Sequence, residues 1–124
     1  MAKVVHFEIP AESPEKISKF YTEVFGWKIE QWGNDDYWLV DTGLKSEPGI
    51  GGGIYRKKKP TDGTVNTVAV MDLDAYMEKI KLAGGQIIGE PMDIPKVGRN
   101  VMALDPEGNL FGIIQFSDED MASM

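Results

Sequence analysis

Apolar and polar residues alternate at the start of the chain, with Val5, Phe7 and Ile9 on one face and Val4, His6 and Glu8 on the other. That is the period of a strand packed on one side and carrying polar groups on the other. The period then changes. Ile17, Phe20, Tyr21, Val24 and Phe25 recur at helical spacing and form one apolar stripe. Ser13 is placed to cap this helix, Pro14 to occupy its first turn and Gly26 to end it in a left-handed conformation. Trp27–Trp32, Tyr37–Thr42 and Ile50–Arg56 read as three strands, the first two joined by the turn-forming Gly33-Asn34-Asp35-Asp36. The glycine run from Gly49 to Gly53 lacks the spacing and the following helix of a phosphate loop. It reads instead as a bulged strand that lets backbone or ligand approach closely.

Beyond a charged connector, Lys57–Gly63, the same order returns. Val65–Met71 alternates as a strand, Asp72 can cap a helix bearing Leu73, Tyr76, Met77 and Ile80, and Gly84-Gly85 ends it. Three more strand-like runs follow: Gln86–Gly89, with an extension to Ile94 left open, then Asn100–Asp105 and Leu110–Phe116. The turn Asp105-Pro106-Glu107-Gly108-Asn109 separates the last two. The chain therefore reads βαβββ twice, as an α+β domain with one module over residues 3–58, a second over 64–116 and a polar tail over 117–124. Modules of this size are too small to bury a sheet well alone. They are expected to pack together or to exchange between two chains.

Composition narrows the chemistry. The 124 residues carry 20 acidic and 13 basic side chains, a formal charge of −7. Neither nucleic acid nor an anionic membrane surface is an expected partner for such a chain. The sequence has no cysteine, which removes thiolate ligands and nucleophiles. No apolar run approaches the ~20 residues of a membrane span, and no signal-peptide pattern opens the chain. A cytoplasmic protein is the expectation.

The duplicated module opens with His6 on its first strand and runs on through FYTEVFGW and an M-D-L-D helix entry. It continues to an AGG junction and closes on DPEGNLFGI. These motifs resemble the vicinal oxygen chelate superfamily, which includes glyoxalase I, extradiol dioxygenases, methylmalonyl-CoA epimerase and bleomycin resistance proteins. The resemblance covers residues 3–116. It implies that each module curves its sheet into a half-barrel, with helices outside and a ligand cavity in the cup. It also implies metal-ligand positions on the first and fourth strand of each module. Here those positions fall on His6, on Val65 (or Asn66, if the strand slips by one residue), on Gly53 or Gly52, and on Gly112. Only His6 offers a donor, and a catalytic metal normally takes about three protein ligands.

His6, the only histidine, reads either as a leftover ligand, a general base or a ligand-orienting donor, or as a half-buried residue bonded to Glu8 or to backbone. Glu8 reads as a proton-transfer carboxylate or as a solvated residue at the rim of the cup. Among the aromatics Trp27, Trp32, Tyr37, Trp38 and Tyr55, the preferred ligand-binding residues are Trp38 and Tyr55. Arg99 is a candidate for pairing an anionic group on the ligand. The expectation is a homodimeric small-molecule-binding protein with a degenerate metal site and no cofactor. A metal-dependent lyase, isomerase or dioxygenase of the glyoxalase I type is the alternative, with His6 on a divalent ion.

Overall fold

A computed structural model describes residues 2–117. Apart from Ser117, the polar tail lies outside the described residues. The chain divides into two compact units, one spanning His6–Val65 and the other beginning at Asn66 and including the residues before His6.

The first unit is built from β1 (Lys3–Ala11), α1 (Pro14–Phe25), β2 (Lys28–Gln31), β3 (Tyr37–Asp41) and β4 (Gly52–Arg56). β4 runs parallel to β1, with Glu8 opposite Gly53 and Pro10 opposite Tyr55. On its other edge β4 is antiparallel to β3, and β3 is antiparallel to β2. Alternation along these strands sends one set of side chains toward α1. Ala11, Trp38, Val40 and Ile54 are buried there, packed with Phe7, Ile9, Trp27, Ile29 and Ile17 of the helix. His6, Glu8, Tyr37, Leu39, Gly53 and Tyr55 have the opposite phase and belong to the other face of the sheet.

The second unit repeats this plan with β5 (Val65–Ala69), α2 (Leu73–Leu82), β6 (Gln86–Ile94), β7 (Gly98–Leu104) and β8 (Leu110–Phe116). β5 is parallel to β8, and β8, β7 and β6 follow in antiparallel order. Val70, Leu73, Val101 and Ile113 form its core, with Val68 and the α2 residues Tyr76, Met77 and Ile80 packed around it. Because Val68 turns toward α2, alternation puts Val65 rather than Asn66 on the other face.

Several local expectations are corrected. The three-glycine stretch contains no bulge. β4 keeps an unbroken register with both neighbours from Gly52 onward. A Cβ on Gly52 would overlap the carbonyl oxygen and ring of Phe7, and one on Gly53 would overlap Tyr37, so close approach is what demands glycine. The register shift lies instead in β6 between Ile88 and Met92, beside Gly89 at φ 73°. Gly26 does end α1 in the left-handed region, at φ 75°. Ser13 sits at the N-cap of α1, but its hydroxyl makes no capping bond, whereas Asp72 accepts from the Ala75 N–H of α2 at 3.1 Å. The apolar stripe of α1 is split: Ile17 packs inward, while Phe20, Val24 and Phe25 remain more than half exposed. No helix among the described residues is long and apolar enough to cross a membrane.

Candidate functional site

The face of the first sheet turned away from α1 carries a three-residue polar cluster. His6 and Glu8 are two positions apart on β1, so they share this face, and Tyr37 reaches across from β3. The His6 Nε2 atom lies 2.7 Å from the Tyr37 hydroxyl and 3.8 Å from Glu8 Oε2. The Tyr37 hydroxyl and the Glu8 carboxyl lie near enough to shift each other's ionisation. The side chains of His6 and Glu8 keep 32% and 27% of their surface open, so the cluster is reachable. Gly53 stands between the strands, and the Tyr37 ring and hydroxyl lie over it, in the space a side chain there would fill. The Trp32 ring meets the Tyr37 ring edge-on at 6.2 Å and backs it.

Burial alone would push the Glu8 carboxyl up. Hydrogen bonds from His6 and Tyr37, together with the His6 charge, outweigh it and hold Glu8 below the usual carboxylate range. Tyr37 is driven the other way, by burial first and then by the adjacent Glu8 charge and hydrogen bond, so its phenol stays neutral. The Tyr37 hydroxyl can donate one proton and accept another, an ionised carboxylate only accepts, and the imidazole can do either, so the three groups satisfy one another on this face.

The other residues singled out in the sequence fall in different places. Tyr55 is on the same sheet face as the cluster, its hydroxyl donating to the Gly63 carbonyl at 2.8 Å. Burial, followed by the charges of Asp62 and Glu8, pushes its phenol up as well. Trp38 is only 7% exposed and belongs to the core against α1, so it does not join the cluster. Arg99 is on β7 of the second unit, with Asp74 at 3.8 Å and Asp93 at 3.7 Å, so its guanidinium already has carboxylate partners. A concavity of about 420 Å³ lies beside the β3–β4 connection, among Asp41, Leu44, Lys45, Glu47 and Ile50. Its polar groups close the loop on itself, through Thr42 to the Ile50 carbonyl and Glu47 to the Leu44 N–H, and it contains none of the cluster residues.

Residues 3–113 match the sequence model of the Glyoxalase/Bleomycin resistance protein/Dioxygenase superfamily. The chain belongs to this superfamily. It is 32% identical over 115 residues to a Mycobacterium bovis protein named "Putative glyoxylase CFP32", covering 87% of this chain and 42% of that protein. The chain thus spans well under half the length of that relative. A "Glyoxylase-like domain-containing protein" of Didymella fabae is 30% identical over 112 residues, with 86% and 88% of the two chains covered. Among solved structures, methylmalonyl-CoA epimerase from Mycobacterium tuberculosis shares the fold, with a TM-score of 0.70 at 14% identity over 98% of this chain and 91% of that one. A methylmalonyl-CoA epimerase solved with methylmalonyl-CoA and NH4+ has a TM-score of 0.69 at 14% identity, over 95% and 96% of the chains.

Metal-using members of the superfamily need several donors at one point. The donor set here does not fit such a centre. Among the described residues no three His, Asp or Glu side chains are grouped so that they could hold an ion. The position over Gly53 is filled by a neutral phenol, and the Nε2 atom of His6 already faces that phenol. Tyr37 is the member of the cluster that the sequence reading passed over in favour of its neighbour. The signal lies in strand phase: Tyr37, Leu39 and Asp41 alternate with Trp38 and Val40. The charge of Asp41 marks the first set as the face away from the core.

Proposed function

We propose that the chain is a glyoxalase-like binding protein that holds a small molecule on the open face of its first sheet, against His6, Glu8 and Tyr37, without a metal. The observation that carries this reading is the phenol of Tyr37 over Gly53, bonded to His6 where the superfamily places a metal ligand. The three polar groups share one sheet face, away from the core and still reachable by solvent. Tyr55 and Trp32 flank the cluster and offer flat apolar surface to a ligand. The methylmalonyl-CoA complex of a fold neighbour supports a small-molecule ligand for this architecture.

The test is a thermal-shift screen of metabolites and antibiotics against the wild type and His6→Ala. A ligand at 100 times its Kd stabilises by about 2.7 kcal/mol, and the shift is expected to be lost in the variant. Stoichiometric Ni, Zn, Mn or Fe in protein purified without chelator, lost with His6→Ala, would instead establish the metal-dependent alternative. We further propose a homodimer, supported by the exposed Phe20, Val24 and Phe25 on α1. Sedimentation equilibrium reads it directly as twice 13.8 kDa rather than a single chain.

A further inference from the structure

We infer that the solvent face of α1 is one half of a twofold contact, in which the α1 helices of two copies of this chain pack antiparallel. The inference rests on the proposed homodimer and assigns the surface that forms it.

Helical spacing puts Lys16, Phe20, Glu23 and Val24 on one side of α1, at i, i+4, i+7 and i+8. All four are exposed, Phe20 by 53% and Val24 by 55%. The core side of the same helix is a different set: Pro14 is buried, Ile17 packs on the sheet and Tyr21 stacks on Trp27 at 4.9 Å. Phe20 meets Tyr21 edge-on at 5.2 Å, so its ring is backed by the core while it faces water. A held, exposed aromatic is the residue type that anchors protein interfaces. The second unit supplies the comparison. Seven positions after its N-cap, where α1 has Phe20, α2 has the exposed Lys79. A solvated helix on this plan therefore has no need of an aromatic there.

Charge selects the partner. Lys16 and Lys19 lie in the first half of α1 and Glu23 near its end, an order the helix dipole disfavours. The helix α2 has the favourable order, with Asp74 in its first turn and Lys79 and Lys81 in its last. Glu15, the acidic residue in the first turn of α1, is drawn toward Arg56 at 4.0 Å. Lys19 and Glu23 come within 4.0 Å of each other, yet their side chains stay 78% and 65% open. A twofold axis crossing α1 between Lys19 and Phe20 brings the basic half of each helix over the acidic end of the other. It sets Lys16 opposite Glu23 of the partner subunit and the two Phe20 rings side by side at the centre. A contact of this symmetry must be self-complementary, and this face is.

Sedimentation equilibrium of the full chain tests the assignment. Phe20→Lys, which copies the residue of α2, is expected to raise the dimer Kd at least about thirtyfold, since an anchor is lost from both sides. Lys16→Glu and Glu23→Lys are each expected to raise it about tenfold, because two attractive pairs per dimer become repulsive. The double variant Lys16→Glu/Glu23→Lys is expected to return to within about threefold of wild type. The charge reversals stand even if Phe20→Lys folds poorly. A dimer that none of these substitutions weakens overturns the assignment of α1 and leaves the homodimer in place. Weakening without rescue in the double variant overturns the antiparallel pairing, and the inference with it. A wild type that stays monomeric at about 1 mM overturns the homodimer as well.

Discussion

Tyr37 decides what its neighbours can do. Without it, His6 would present a free Nε2 atom beside an open space over Gly53, and Glu8 would lack its phenolic donor. With it, the three side chains draw together into one polar cluster. Glycine at position 53 is the condition for this arrangement, since a Cβ there would overlap both the ring and the hydroxyl of Tyr37. Gly53→Ala is therefore expected to destabilise the protein by about 1–3 kcal/mol, the usual range for forcing extra atoms into a packed site. It should also detach Tyr37 from His6. Urea denaturation measures the first effect. The second appears as an earlier onset of tyrosinate absorbance above pH 10, because the groups that hold the Tyr37 phenol neutral would be displaced.

The two helices look equivalent as patterns, but their caps differ. Asp72 bonds the first turn of α2, while the Ser13 hydroxyl bonds nothing in α1. Asp72→Ala should cost about 0.5–2 kcal/mol, the range for losing a capping oxygen, and Ser13→Ala should be close to neutral; equilibrium denaturation of both variants checks the contrast. Order and type of the elements were legible because each strand alternates and each helix repeats its apolar residues within a few positions. The βαβββ duplication was legible for the same reason. The phase of β3 was harder, because Tyr37 and Trp38 are both amphipathic aromatics and either fits a core or a cleft. Only the pairing of Tyr37 with Tyr55, and the lean of Tyr37 over Gly53, separates them. His6 and Glu8 were legible as a pair on one face. That their partner would come from β3, 31 residues beyond His6, depends on sheet order and no local pattern encodes it. The pairing of Arg99 with Asp74 and Asp93 is likewise a product of tertiary placement.

Over the whole molecule, several carboxyls are held below their ordinary range. Glu8 is lowered by His6 and Tyr37 against the opposing effect of burial, Asp36 by Arg56, Asp62 by the Lys58 and Lys59 N–H groups, and Asp105 chiefly by Asn109. A carboxyl depressed on folding stabilises the native state above its unfolded value of about 4, and that contribution disappears as pH falls through the lower folded value. Relief of the −7 charge acts in the opposite sense on the approach to the pI near 4.6. The urea midpoint is thus expected to hold or rise slightly from pH 7 to 5 and to fall below about pH 4. Glu8→Gln should make the acid limb shallower. An acid limb unchanged by that substitution would show that Glu8 is not coupled to folding as its partners require.

The phenol of Tyr37, set over Gly53 and against His6, supports the metal-free reading of the site. Elemental analysis of protein purified without chelator tests that reading most directly. The account predicts no stoichiometric Ni, Zn, Mn or Fe. A stoichiometric ion that is lost with His6→Ala would contradict it.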